Sequence, residues 1–163
     1  MICDQSSARI LRDLQLSAGL SSDFPTNDWR QVIAADRTLA PIELQLHDIL
    51  RGLTPAQELQ IQFPIDPLTP VERSDWCGFV VNSLAHGLAY GPLSRTARVD
   101  EPRAKEINRW LGNAISTLRS PTFLANWDLQ GTTWTPVSAH TFDACLLAYD
   151  TANIIVVLVV DED

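Results

Sequence analysis

The chain has 163 residues, of which 45% are hydrophobic and 20% charged, the composition of a folded globular protein rather than a disordered or fibrous one. Its formal net charge of −8 disfavours direct contact with nucleic acid, which relies on clustered Lys and Arg, and suits association with a basic protein. Segment 92–119 carries six basic and three acidic residues, so it is locally +3 and the remainder of the chain is −11.

From the first residues onward the pattern predicts helices. Ser6 or Ser7 can cap a helix to Ala18, with Ile10, Leu11, Leu14 and Ala18 on one stripe and Gly19 at its end. A second helix is expected to open near Thr26 to Asp28 and to carry Trp29, Val32 and Ile33 inward. Pro41 suits a third start, followed by Ile42, Leu46, Ile49, Leu50 and Leu53 at helical spacing, although Ile42, Leu44 and Leu46 also alternate as a strand would. Leu59, Ile61 and Phe63 alternate as well and suit a short strand. Segment 63–70, FPIDPLTP, holds three prolines and is an extended connection. It bounds a helical subregion, 1–63, within what is expected to be one domain, 1–163.

Ser74 then caps SDWCGFVVNSLAHGLAYG, a helix apolar on nearly every side and therefore expected at the centre of the core. Asp100 and Pro102 open another, whose buried stripe is Ile107, Leu111, Ala114, Ile115 and Leu118. The final stretch, TFDACLLAYDTANIIVVLVVDED, is a β-hairpin. A strand apolar on both faces is buried on both, so NIIVVLVV is expected inside the sheet or beneath helices. A three-residue loop would pair Asp143 with Asp161; a loop of two or four would pair Asp143 with Val160 and Phe142 with Asp161. These elements predict an α+β fold of about five helices on a small antiparallel sheet dominated by the C-terminal hairpin. Further strands would come from Leu59–Phe63 or from TTWTPVS.

The candidate chemistry is thin. Cys3, Cys77 and Cys145 are odd in number and lack CxxC spacing, which favours a reducing compartment over a disulfide framework or a zinc knuckle. No secretory signal opens the chain, and NIIVVLVV is too short to span a bilayer, so a cytoplasmic protein without membrane contact is expected. Cys77 and His86 fall on opposite faces of one helix. Ser83 and His86 lie three apart, but no G-x-S-x-G elbow accompanies them. His140 and Cys145 are about 17 Å apart along a strand. His47 sits four residues after Glu43, too few ligands for a metal. The Arg95, Arg98, Arg103 and Lys105 cluster has no Gly-rich loop beside it and suits solvent or the protein's own acids.

The most informative place is the open end of the hairpin, where either register gathers His140, Asp143, Asp161, Glu162 and Asp163. Like charges placed opposite one another destabilise a sheet, so water, a basic partner or a hard cation must offset them. The closing acids also act as charged gatekeepers against edge aggregation. Trp127 and Trp134, in the loop before the hairpin, are the expected anchors for a partner.

In size and acidity the chain resembles bacterial toxin-immunity proteins. That resemblance implies a cytoplasmic binding protein, without cofactor or metal, that inhibits or neutralises a basic toxin or enzyme. Asp23, Asp28, Glu43 and Asp48 would then face the partner together with the hairpin end. The alternative is a small metal-assisted hydrolase or phosphotransferase using His140, Asp143, Asp161 and Asp163.

Overall fold

A computed structural model describes residues 28–52, 60–86, 88, 102–128, 133–139 and 142–161. Its centre is the predicted hairpin. Strand β4, Phe142–Tyr149, and strand β5, Asn153–Asp161, pair with Phe142 opposite Asp161 and Asp143 opposite Val160. The turn is set by Asp150, whose Oδ1 accepts the N–H groups of Ala152 and Asn153 at 2.7 Å each. A short aspartate side chain closing its own turn in this way selects the tighter loop, and with it the second of the two expected registers.

Three more strands flank the hairpin. Strand β1, Asp28–Asp36, lies antiparallel to β5, with Val32 opposite Val157. On the other side β3, Thr122–Ala125, pairs with β4, and β2, Thr69–Pro70, pairs with β3. The five-stranded order is β1-β5-β4-β3-β2, antiparallel throughout. A strand of two residues, one of them a proline, suits an edge, where the missing N–H costs no ladder bond.

Both faces of the sheet are covered. Helices α2, Arg73–His86, and α3, Pro102–Ile115, pack on one face. There Val80, Val81, Leu84, Ile107, Leu111 and Ile115 meet Leu146, Ile155, Val157 and Val159. Trp76 is fully buried, contacts the Phe123 ring at 5.2 Å and donates its indole N–H to the Leu124 carbonyl at 3.2 Å. On the opposite face Leu46 and Leu50 of α1, Ile42–Arg51, join Ile65, Leu68 and Val137 over Cys145, Leu147, Val156 and Leu158. Ile154 to Val160 are thus all buried, alternately on the two faces. At about 1.5–3 kcal/mol per buried aliphatic side chain, this double burial explains a strand with no polar face.

Several expectations are corrected. The segment expected as a second helix is strand β1. Its apolar residues satisfy a helical spacing, but β5 presents an unpaired backbone edge that a neighbouring strand satisfies and a helix cannot. There are therefore three helices among the described residues rather than about five; the helix expected at Ser6–Ala18 lies outside them. Helix α1 occupies the segment whose strand alternative is now set aside, and its start is tied to the end of β1 by Gln45. The Gln45 Nε2 donates to the Asp36 carbonyl at 2.7 Å, and its Oε1 accepts from the Thr38 N–H and the Arg37 guanidinium. The expected extra strands are also corrected. Residues 60–63 form none, and TTWTPVS contributes a single bridge between Trp127 and Trp134. The 63–70 connection does not set a helical subregion apart, because β1 and α1 build onto the same sheet as the hairpin. Among the described residues no helix is long and apolar enough to cross a membrane.

Candidate functional site

The end of the sheet where β4 begins and β5 stops is the place the sequence marks. The backbone register sets Phe142 opposite Asp161 on one side and Asp28 opposite Asp161 on the other. His140, Glu162 and Asp163, also expected at this site, lie outside the described residues.

Asp143 is placed differently from the expectation. It has no exposed surface and shares the face of Cys145 and Leu147, beneath the 137–138 loop. Four donors converge on its carboxylate. Asn126 Nδ2 and Ser138 Oγ reach it at 2.7 and 2.8 Å, and the N–H groups of Ser138 and Val137 at 2.8 and 3.1 Å. Asn126 also accepts the Cys145 N–H at 2.7 Å, and the Trp127 indole donates to the Asp143 carbonyl at 2.6 Å. The group is a buried polar node that staples residues 126–127 and 137–138 to β4. Burial pushes the Asp143 carboxyl above its ordinary range, and the bonds from Ser138, Val137 and Asn126 draw it back only in part. With both oxygens occupied from within, Asp143 is a structural acceptor and not a surface contact or an open cation ligand. The cue was present in the period of two, which aligns Asp143 with Cys145 and Leu147. The partners Asn126 and Ser138 carry no sequence signal that identifies them.

Trp127 is likewise 1% exposed, and its ring is held between Phe79 at 5.6 Å and Trp134 at 4.9 Å, the latter stacked at 14°. It is therefore no protruding anchor. It does form a wall of an open cleft of about 290 Å³ between the β2–α2 junction and the residues after β3. The other walls are Thr69 to Glu72, Asp75 and Asp128. Glu72, Asp75 and Asp128 are exposed at its rim, giving three carboxylates around an indole. Sequence reasoning missed all three, since they lie up to 56 residues apart along the chain and meet only when β2 pairs with β3. Trp134 is half-buried and packs on Phe142 at 5.4 Å.

The remaining candidates are structural. Ser83 Oγ donates to the Phe79 carbonyl at 2.7 Å, so its hydroxyl is engaged by its own helix. Burial raises the Cys77 thiol, with Arg73 opposing, and it raises the Cys145 thiol far more strongly. His47 lies 3.7 Å from Asp48 and packs on Phe63 at 4.6 Å. Among the described residues no three His, Cys, Asp or Glu side chains group as a metal would require. The side chains of Arg103 and His86, and all of Arg95, Arg98 and Asp23, lie outside the described residues; Lys105 is exposed on α3. Comparisons of this chain with protein-family models, with curated proteins and with solved structures each found no match.

Proposed function

We propose that this protein is a cytoplasmic binding protein that inhibits or neutralises a basic partner protein, an activity of the toxin-immunity kind. The observation that carries the reading is the acidic cleft at one end of the sheet, where Glu72, Asp75 and Asp128 surround the Trp127 wall. A basic side chain of the partner placed between these carboxylates gains charge-assisted hydrogen bonds. The Asp28–Asp161 pairing lies at the same end, because β3 leads into Trp127 where β4 begins and β5 stops. His140, Asp161, Glu162 and Asp163 are assigned to the same partner contact on their charge and sequence position alone, and Trp134 packs on Trp127 at 4.9 Å. The net charge of −8 draws a basic protein in and accelerates encounter. The metal-assisted alternative loses its central ligand, since Asp143 is taken up inside the fold.

The test uses an arginine-rich peptide and calorimetry at low and moderate salt. Glu72→Gln/Asp75→Asn/Asp128→Asn should lose most of the affinity. A variant of equal net charge, Asp36→Asn/Asp66→Asn/Glu106→Gln, should keep most of it. Equal losses in the two would mean bulk charge alone attracts the peptide and would overturn the cleft reading. The same two variants, used in affinity capture, then identify the partner as a basic protein retained by one and lost by the other.

A further inference from the structure

At the opposite end of the sheet, beside the β4–β5 turn, lies an open cleft of about 560 Å³ whose chemistry is reversed. Two arginines line it in a chain that is strongly acidic overall: Arg37, just after β1, and Arg119, just before β3. Neither guanidinium is within ion-pair distance of a carboxylate among the described residues. Arg37 is pre-ordered. It bonds the Gln45 Oε1 and the Ala40 carbonyl, and it lies over the Tyr149 ring at 5.3 Å. A guanidinium held this way gives up little rotamer freedom when a ligand arrives.

The third charged group in the cleft is Asp150. Its carboxylate is occupied by the backbone, accepting the N–H groups of Ala152 and Asn153 on one oxygen and of Arg119 at 2.7 Å on the other. Those bonds fix the turn and leave the local charge at one positive unit, two arginines against one aspartate. Hydroxyl groups of Ser120 and Thr122 add neutral donors, and Ser120 is held in the left-handed region at φ 47°. Leu39, fully exposed, and the Tyr149 ring supply apolar wall.

We infer that this cleft binds a small organic monocarboxylate, with its carboxylate on the Arg37 and Arg119 guanidiniums and its apolar body against Tyr149 and Leu39. The single surplus positive charge selects one negative charge. The planar guanidinium fork matches a carboxylate in two parallel hydrogen bonds. The inference stands independently of the partner-binding reading, which concerns the other end of the sheet.

Benzoate is the probe, added to isotopically labelled full-length protein and followed by amide shifts. Saturable shifts are expected at Arg119, Ser120, Thr122 and Tyr149, with benzyl alcohol giving none there. Arg119→Gln, an exposed side chain, should weaken benzoate by about tenfold or more, while Arg51→Gln, which removes an equal charge elsewhere on the surface, leaves it unchanged. Unshifted amides for the rest of the molecule show that the variant is folded. The inference is overturned if benzoate produces no saturable shift at the cleft. It is equally overturned if benzyl alcohol shifts the same amides as strongly, if the two arginine variants weaken binding alike, or if inorganic phosphate binds there more tightly than benzoate.

Discussion

Replacing Asp143 tests the central claim about how this fold is closed. In Asp143→Ala the N–H groups of Val137 and Ser138 and the Ser138 hydroxyl lose the carboxylate as acceptor at a site with no solvent exposure, while Asn126 Nδ2 keeps its bond to the Thr135 carbonyl at 3.0 Å. A buried donor left unsatisfied costs about 1–3 kcal/mol, partly offset here because the charge no longer has to be buried, so a net loss of about 3–5 kcal/mol is expected. That is a large part of the 5–15 kcal/mol typical of whole domains. Chemical denaturation at neutral pH followed by tryptophan fluorescence measures it. The isosteric Asp143→Asn keeps one acceptor and should cost less. Its pH dependence carries the sign. The folded-state pKa of Asp143 lies above the unfolded value, so the stability it contributes is fully present below the ordinary aspartate pKa and is lost as pH rises through the folded value. The deficit of the Asn variant should therefore be larger near pH 4 than at pH 7. A deficit below about 1 kcal/mol for the Ala variant would refute the staple. One that grows with pH for the Asn variant would show that the four donors outweigh burial.

Further outcomes concern other elements. Asp150 behaves in the opposite sense: partial burial raises its pKa, but the N–H groups of Arg119, Ala152 and Asn153 and the Arg119 charge lower it more, so it lies below its ordinary range. Its contribution is present above the unfolded pKa and is lost as pH falls through the folded one, so the thermal-melt deficit of Asp150→Asn should shrink toward acid. Leu158→Ala empties a fully buried position in the most enclosed strand and should cost about 2–5 kcal/mol in the same denaturation assay. Phe63→Ala removes a ring that is 69% exposed and should change stability by no more than about 0.5 kcal/mol. In native protein a thiol reagent should label Cys77 slowly and Cys145 only on unfolding, because burial raises both thiols and encloses the second completely.

The site was half legible. Asp143 shares the alternation of Cys145 and Leu147, yet a carboxylate in a strand ordinarily marks the solvent face, and only distant donors make its burial tolerable. The acidic cleft left no local trace at all. Glu72 and Asp75 belong to the connection after β2 and the first turn of α2, and Asp128 to the residues after β3. Each alone looks like ordinary surface polarity.

What local sequence determined is the set of elements whose pattern admits one period. Helices α2 and α3, the hairpin, and the need to cover β5 on both faces follow from apolar content and spacing, because a seven-residue run without a polar position has nowhere else to go, although α2 begins at Arg73 and Ser74 lies inside it rather than capping it. Tertiary structure decided the rest. The stretch DWRQVIAAD satisfies helical and extended spacing alike, and it is a strand because β5 offers an edge whose N–H and C=O groups need partners. TFLA is too short to declare itself and becomes β3 by pairing with β4. Strand pairing sets residues more than a hundred positions apart opposite one another, as Val32 and Val157, and no window of local sequence contains both partners.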